Sequence, residues 1–364
     1  MDGSWNAWEA APMPTSEFTP RFFTEFFQSI HANQVNNWDE RRFGQENRSF
    51  SVDNAAFQMR FALANFDHYA WVHDQLSDAP SRDYLIRFVL YKVLGHTHVR
   101  FPQITSEFRQ LYNSVESYLV SRATAPFPSQ WLPVPIYVNH YRLPFCGNTL
   151  TVNTSDVSLL ETLLFDQYRY RQGGVDISVR PGDVVIDAGS CWGDTTLAFS
   201  ARAGKHGRVF GFEMIEENLA VLRGNLAENP DLAETIEIIE SPLASTSGRE
   251  YWVSSNGAAS TLKQTPGEGK RVISTSIDDF VQSRNLPTVN FIKFDIEGAE
   301  KDALLGAKET IRRHKPTLAV SVYHKNEDII ELPRIIKTLY PQYSLYLHGV
   351  CLNYGETVLF ARAL

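Results

Sequence analysis

Residues 184–203 set the frame for the rest of the chain. An apolar run, Val184-Val185-Ile186, ends in Asp187, breaks into a turn bounded by Gly189 and Gly193, and continues as Asp194-Thr-Thr-Leu-Ala-Phe-Ser-Ala-Arg-Ala203, which reads as a helix. A buried strand, a tight glycine turn and a helix N-terminus make the first unit of a nucleotide-type α/β site. Glu213 closes the next apolar run, Arg208-Val-Phe-Gly-Phe-Glu213, 26 positions after Asp187. A carboxylate at that place can accept both hydroxyls of a ribose.

The glycines are spaced G-x-x-x-G (Gly189, Gly193) rather than G-x-G-x-x-G. A dinucleotide needs the middle glycine so that the backbone can approach its pyrophosphate. Here the loop instead follows a carboxylate, Asp187. S-adenosylmethionine has no phosphate and carries a sulfonium and an amino-acid end, so an acidic loop suits it better than it suits a dinucleotide.

The pattern after this loop alternates. Strands are predicted at 184–187, 208–213, 236–241, 290–295 and 317–323, with helices at 194–203, 216–228, 299–313 and 327–339. Further strand-like pieces fall at 250–253 and 271–276, and two closing strands at 344–347 and 357–360 are joined by a short glycine-containing turn. Alternation at βαβ spacing implies a parallel sheet. A final hairpin with no helix between its strands adds an antiparallel member, an ending not expected of a plain Rossmann dehydrogenase.

Upstream the character differs. Residues 1 to about 20 read as irregular, and residues 21–130 as mainly helical, with Phe22, Phe23, Phe26, Phe27 and Ile30 on one predicted helix face and similar patterns at 55–76 and 84–94. Ser158 to Tyr170 also reads as a helix, and Asn148 to Asn153 as a strand. Five of the seven tryptophans (Trp5, Trp8, Trp38, Trp71, Trp131) lie upstream, and Pro126, Pro128, Pro133 and Pro135 mark a connector. The expected division is a helical N-terminal region over 1–132, serving as lid, substrate-binding element or dimerisation element, and an α/β domain over 133–364.

The net charge of −8 and the lack of a basic stripe argue against a nucleic-acid partner. Three widely spaced cysteines, Cys146, Cys191 and Cys351, imply no disulfide framework. The first residues have no basic n-region or apolar h-region, and no apolar run approaches the roughly 18 residues of a membrane span. A cytoplasmic protein is expected.

The second dense motif is Phe291-Ile-Lys-Phe-Asp-Ile-Glu-Gly-Ala-Glu300. Asp295 falls at the carboxyl end of a strand, where open α/β sheets bind ligands, and Glu297 falls in the loop beyond it. Glu300 fits a helix-dipole cap. The next strand runs into Ser321-Val-Tyr-His-Lys-Asn326, so His324 can face the same crevice and take a proton from a hydroxyl. His348 is a weaker candidate.

Residues from about 140 onward resemble the FkbM family of S-adenosylmethionine-dependent methyltransferases. The resemblance rests on Val185-Ile-Asp-Ala-Gly-Ser-Cys-Trp-Gly-Asp194, on Phe212-Glu213 with Glu217-Asn218 and Asn225, on Ser276-Ile-Asp-Asp-Phe280, on Ile292 to Glu300, and on Ser321 to His324. Phe165 to Tyr170 looks like the segment that precedes the glycine loop in that family. The resemblance implies a class I methyltransferase fold, a Rossmann-like seven-stranded sheet of order 3-2-1-4-5-7-6 with strand 7 antiparallel. It implies O-methylation of sugar or natural-product hydroxyls. It places the cofactor against Tyr168, Asp187, Ala188, Gly189, Ser190, Gly193, Glu213, Met214, Ser241 and Asp295. Ser241-Pro242 stands where relatives often carry Asn or an acid near the adenine, and Met214 where a proline is common.

The expected chemistry is SN2 transfer of the sulfonium methyl to a hydroxyl of a sugar, polysaccharide or secondary metabolite. Asp187 would hold the amino-acid end, directly or through water, and Glu213 the ribose. His324 is the first candidate base, with Asp295 or Glu297 the second. A divalent metal is left open, with Asp295 and His324 or Asn326 as its ligand set. The alternatives are an N-methyltransferase on an amine and, in a different class, a non-catalytic binding protein on this fold. A homodimer is left open.

Overall fold

The computed structural model describes residues 16–31, 37–45, 51–128, 133–254, 261–263 and 270–363. The readings made for residues 1–15 and for Trp131 lie outside these.

The upstream region is helical: α1 (Phe18–His31), α2 (Glu40–Phe43), α3 (Val52–Ala64), α4 (Phe66–Gln75), α5 (Ala79–Leu94) and α6 (Ser106–Asn113). Side-chain caps start several of them. Asp39, Ser51, Asp78 and Thr105 each accept a backbone N–H in the first turn of the helix that follows. The predicted 55–76 helix is two helices, broken at Asn65. In α1 the buried face is narrower than predicted. Phe18 and Phe22 are fully buried at i, i+4, whereas Phe23 and Phe27 are 40% and 56% exposed.

Next comes a small antiparallel sheet, β1 (Leu119–Ser121), β2 (Asn139–Phe145) and β3 (Asn148–Thr154). A helical stretch follows, α7 (Asp156–Ser158) running into a π-turn at Leu159–Leu164, and it stops short of Tyr170. Asp166, with φ of 59°, ends it in a left-handed turn. Tyr170 instead opens the ribbon β4 (Tyr170–Gln172) and β5 (Val175–Ile177).

The α/β unit contains β6 (Val184–Ala188), α8 (Asp194–Ala203), β7 (Arg208–Phe212), α9 (Glu216–Glu228), α10 (Pro230–Ala233) and β8 (Ile236–Ile239). The strands β9 (Glu250–Ser254), β10 (Thr261–Lys263) and β11 (Lys270–Ile273) form a separate three-stranded sheet. The unit resumes with α11 (Ile277–Ser283), β12 (Phe291–Phe294), α12 (Glu300–Leu305), α13 (Lys308–His314), β13 (Thr317–Ser321), α14 (Asp328–Leu339), β14 (Ser344–Gly349) and β15 (Thr357–Arg362). The predicted 299–313 helix divides at Gly306, where a Cβ would lie 2.2 Å from the Ala244 carbonyl oxygen.

The main sheet has seven strands in the order β14-β15-β13-β12-β6-β7-β8, with β15 antiparallel to both of its neighbours. Renumbered along the α/β unit alone, that is 3-2-1-4-5-7-6 from the β8 edge, the class I methyltransferase order. Central strands read as continuous apolar runs because helices cover both faces; Val185, Ile186, Phe291 and Ile292 are all fully buried. The upstream helices share this core rather than hanging beside it. Tyr69, Leu85, Phe88 and Leu90 belong to the same apolar cluster as Leu345, Leu347 and Leu359 of the closing hairpin. Ser77 N–H donates to the Leu345 carbonyl at 2.8 Å, and the Ser81 hydroxyl accepts from Leu347 N–H at 2.9 Å. This docking lays the helices over one end of the sheet and brings α2 and α5 to the rim of the site.

Candidate active site

The carboxyl ends of β6, β7, β12 and β13 open into one cavity of about 480 Å³, within the usual range for small-molecule sites. Gly189 follows β6 with φ of +91°, and a Cβ there would lie 1.9 Å from the Asp295 carbonyl oxygen. Glycine is therefore required for both reasons, and the loop can sit directly against the end of β12.

Asp187 does not meet the expectation placed on it. It is fully buried and does not line the cavity. Its carboxylate accepts from the Thr195 and Thr196 hydroxyls at 2.8 and 2.6 Å and pairs with Lys293 Nζ at 3.0 Å. Lys293, 1% exposed, also donates to the Gly189 carbonyl at 2.6 Å. Lys293 also lines the cavity; the Asp187 partner raises its pKa against the lowering effect of burial. Ala188, Ser190 and Gly193 likewise lie behind the cavity wall. Ala188 sits inside the sheet between β7 and β12, Ser190 turns its hydroxyl toward Asp187, and Gly193 caps α8 against Leu222. The acid that does reach the cavity from this motif is Asp194. Burial pushes it up to about 6, with the Thr195 N–H and Thr154 hydroxyl opposing.

At the end of β7, Glu213 lines the cavity and is buried. Its Oε1 accepts the Met214 and Ile215 N–H groups at 2.7 and 2.8 Å, and Asn218 approaches Oε2 at 3.3 Å. Those bonds fix the carboxylate and leave Oε2 with spare acceptor capacity. Phe212, Met214, Ile215 and Leu243 form apolar walls beside it, and the Trp192 indole N–H is buried there with no partner among the described residues. Ser241 lines the same wall, but its hydroxyl is engaged by the Ile273 carbonyl at 2.7 Å.

At the ends of β12 and β13, Asp295, Glu297 and His324 line the cavity together, as their strand-end positions implied. His324 Nδ1 lies 3.0 Å from Glu300 Oε1, and Nε2 lies 3.4 Å from Asp295 Oδ1 and 3.8 Å from Glu297 Oε2. Burial works to lower the His324 pKa, but Glu300 foremost, then Asp295 and Glu297, raise it to about 10. This raised pKa favours the protonated ring at neutral pH, which weighs toward Glu297 rather than His324 as the base. Glu300 is fully buried and also accepts the Ile296 and Gly298 N–H groups. Glu297 is the exposed member, with 37% of its side chain open. Its backbone φ of 54° is an uncommon conformation for a glutamate. Burial of the carboxyl, with Asp295 nearby, pushes its pKa up to about 7 against the pull of His324. Asp295 Oδ2 accepts the Tyr168 hydroxyl at 2.6 Å.

Asp295, Glu300 and His324 could bring one donor atom each within 4.8 Å of one another around a metal ion. His324, with its raised pKa, also pairs with these carboxylates directly. Asn326, the other ligand considered, turns away and accepts from Lys92 at 2.5 Å. His348 is buried on the far side of this loop, its pKa lowered by burial to about 4, with Nε2 on the Gln167 carbonyl at 3.0 Å.

One part of the site escaped the sequence reading. Arg42 of α2 reaches the cavity and donates to both Glu161 oxygens at 2.7 Å and to Glu356 Oε1 at 2.8 Å. Glu356 Oε2 accepts from Gln167 at 2.7 Å and from the Tyr323 hydroxyl at 2.9 Å. Burial pushes Glu161 up to about 8 against the pull of Arg42. These residues lie 119 and 314 positions from Arg42, and no local motif joins them.

The cavity fits the cofactor its order of strands implies: a fixed carboxylate with spare capacity, apolar walls, a buried unpaired indole donor, and an acid near the helix start. Comparison with known proteins agrees. The methyltransferase FkbM domain profile matches residues 176–344. The hexuronic acid methyltransferase AglP of Haloferax volcanii is 32% identical over 132 residues, which is 36% of this chain and 52% of AglP. The chain therefore spans about half the length of that curated relative. The crystal structure of methyltransferase FkbM from Methylobacillus flagellatus KT has a TM-score of 0.53 to this chain at 18% identity, covering 83% of this chain and 60% of the other. Among the described residues no helix is long and apolar enough to cross a membrane. Strand order and profile converge: residues 176–344 match the methyltransferase FkbM domain, on a sheet with the class I methyltransferase strand order.

Proposed function

We propose that the chain is an S-adenosylmethionine-dependent O-methyltransferase whose acceptor is a hydroxyl group of a sugar residue. The observation that carries this reading is that Glu213, suited to a ribose, and Glu297, suited to a proton, line the same cavity. S-adenosylmethionine, when bound, supplies an electrophilic methyl group on a sulfonium. Glu213 holds the ribose hydroxyls, Met214 and Leu243 pack on the adenine, and Asp194 takes the ammonium end in place of Asp187.

A sugar hydroxyl is a weak acid, so its proton must leave as the new bond forms. Glu297 accepts it, with a pKa near 7 matched to neutral pH. His324 positions this loop as a charged clasp between Glu300 and Asp295, and Tyr168 fixes Asp295 from the other side. A neutral amine would need no such base, which favours oxygen over nitrogen as the acceptor atom. The likeness to a hexuronic acid methyltransferase supports a sugar. The unfilled capacity of Glu213 and the cleared approach at Gly189 speak against a non-catalytic relic of the fold.

Calorimetry with S-adenosylhomocysteine tests the cofactor half: Glu213→Ala weakens binding about tenfold or more, the loss of charged hydrogen bonds to a ribose. Unchanged binding removes Glu213 from the role. Methyl-labelled cofactor with sugar and amine acceptors, with and without chelator, tests the rest. Label on amines alone overturns the oxygen assignment, and loss of turnover with chelator returns Asp295, Glu300 and His324 to a metal.

A further inference from the structure

A second cavity, of about 570 Å³, lies between α2, α3, α5 and the turn that joins β14 to β15. Arg42 and Tyr323 line it and also line the methyl-transfer cavity, so the two share a wall. Its lining is not that of a packing void. Trp38, Tyr91 and Tyr354 present aromatic surface, with Tyr91 and Tyr354 in edge contact at 6.0 Å and Tyr91 stacked on Phe101 at 5.3 Å. Between them stand two nitrogen donors. Asn353 is 6% exposed; its Oδ1 accepts from Gly355 N–H at 2.6 Å, and its Nδ2 has no partner among the described residues. A buried amide donor left unpaired costs about 1–3 kcal/mol, which a ligand acceptor would recover.

The other donor is Lys92. Its ammonium lies over the Phe88 and Tyr354 rings at 5.4 and 5.3 Å and donates to the neutral Asn326 amide. No carboxylate among the described residues forms a salt bridge with it. Asp328 and Glu327 act on it only at longer range, and burial lowers its pKa to about 8. Asn326 stands two residues beyond His324, so the ammonium borders the loop that carries His324.

We infer that this cavity is an acceptor subsite beside the methyl-transfer cavity, and that it binds a sugar residue bearing a carboxylate, a uronic acid, with its ring on Tyr91 and Tyr354, a hydroxyl on Asn353 and its carboxylate on Lys92, while the hydroxyl to be methylated reaches past Arg42 and Tyr323 to Glu297. Flat aromatic surface with sparse, fixed donors suits a sugar ring, which has apolar C–H faces and a polar rim. A lone ammonium without a protein anion selects the acid over the neutral sugar. The inference rests on the O-methyltransferase reading above and names the substrate class for it.

The test uses the full chain saturated with S-adenosylhomocysteine and two disaccharides that differ in one carboxylate, cellobiouronic acid and cellobiose. Binding is read by saturation-transfer NMR. The wild type prefers the acid by about tenfold, the worth of one charge-assisted bond. Lys92→Met reduces that preference to under about twofold, Lys92→Arg retains it, and Tyr354→Ala weakens both sugars. Preference unchanged in Lys92→Met, or equal binding of the two sugars by the wild type, overturns the inference. S-adenosylhomocysteine bound with neither disaccharide overturns it too while leaving the cofactor reading standing; failure to bind S-adenosylhomocysteine strikes the methyltransferase reading itself.

Discussion

Replacing Lys293 by methionine removes a buried cation at the wall of the cavity. The side chain is 2% exposed and its partner Asp187 0%. Breaking a buried pair by deleting one member costs about 3–5 kcal/mol, because the remaining charge has no solvent to fall back on. The Thr195 and Thr196 hydroxyls stay on Asp187 at 2.8 and 2.6 Å, which places the electrostatic loss near the low end, about 3 kcal/mol. The Gly189 carbonyl loses its 2.6 Å donor, adding about 1 kcal/mol. Lys293→Met is therefore expected to lose about 4 kcal/mol, a large share of a typical domain's stability. Urea unfolding followed by tryptophan fluorescence measures it, with an unchanged slope showing that the folded state is the same. Asp187→Asn/Lys293→Met, which removes both charges, should recover about 2 kcal/mol of that loss. A loss under about 1 kcal/mol in the single variant, or no recovery in the double, refutes the claim that Asp187 is spent on the fold.

Three other outcomes follow from the geometry. Gly189→Ala cannot keep the loop in place, since its Cβ would meet the Asp295 carbonyl at 1.9 Å; S-adenosylhomocysteine binding falls at least tenfold by calorimetry, the scale of a 1.4 kcal/mol loss, whereas Gly224→Ala, with nothing within 4 Å of its Cβ, leaves binding intact. With Glu297 as base, kcat/KM rises with pH through about 7 and then levels; Glu297→Gln removes that limb and lowers kcat about 100-fold or more, and a limb that survives the substitution excludes Glu297. His324 has its folded pKa raised from 6.5 to about 10, so the stability it contributes is full below pH 6.5 and is lost as pH rises through 10. In urea melts the wild type's advantage over His324→Gln should shrink across that window, and a constant difference would show that the ring is not charged.

What could be read from the chain tracks how local the physics is. Strand, loop and helix around Asp187 and around Asp295 are contiguous, and both motifs folded as their periodicity implied. The partners of Asp187 were not legible locally, because Lys293 lies more than a hundred positions away and the two threonines sit on α8. A lysine inside the apolar run Phe291-Ile-Lys-Phe was the available signal: a buried cation demands an anion, and Asp187 is the residue directly across from it in the β6–β12 register. His324 was legible by position, but the three carboxylates that raise its pKa converge on it only in three dimensions. Arg42, Glu161 and Glu356 carry no local signature, and the sequence could point only to an aromatic-rich helical region without a role.

That distribution also separates the two halves of the site. Glu213, Met214, Leu243, Asp295, Glu297 and His324 fall inside the 176–344 segment that the family profile matches. Arg42, Lys92, Glu161, Gln167, Tyr354 and Glu356 fall outside it, yet line one cavity or the other. The segment matched by the profile carries the residues suited to the cofactor, and the rest of the cavity lining comes from segments outside it. A fold hosts many chemistries by changing what surrounds a constant site. Here the joint between the halves is the Arg42–Glu356–Tyr323–Asp295 chain of polar contacts, in which Glu356 accepts from both Arg42 and Tyr323 and the Tyr323 hydroxyl also approaches Asp295 at 3.4 Å. Arg42→Met would strand Glu161 and Glu356 as unpaired buried acids. Because Tyr323 and Asp295 are tied to the same chain, the effect should reach methyl transfer: kcat falls while S-adenosylhomocysteine affinity, set by Glu213 at the far end of the cavity, holds. A fall in both together would mean that the helical region supports the fold alone and takes no part in presenting the acceptor.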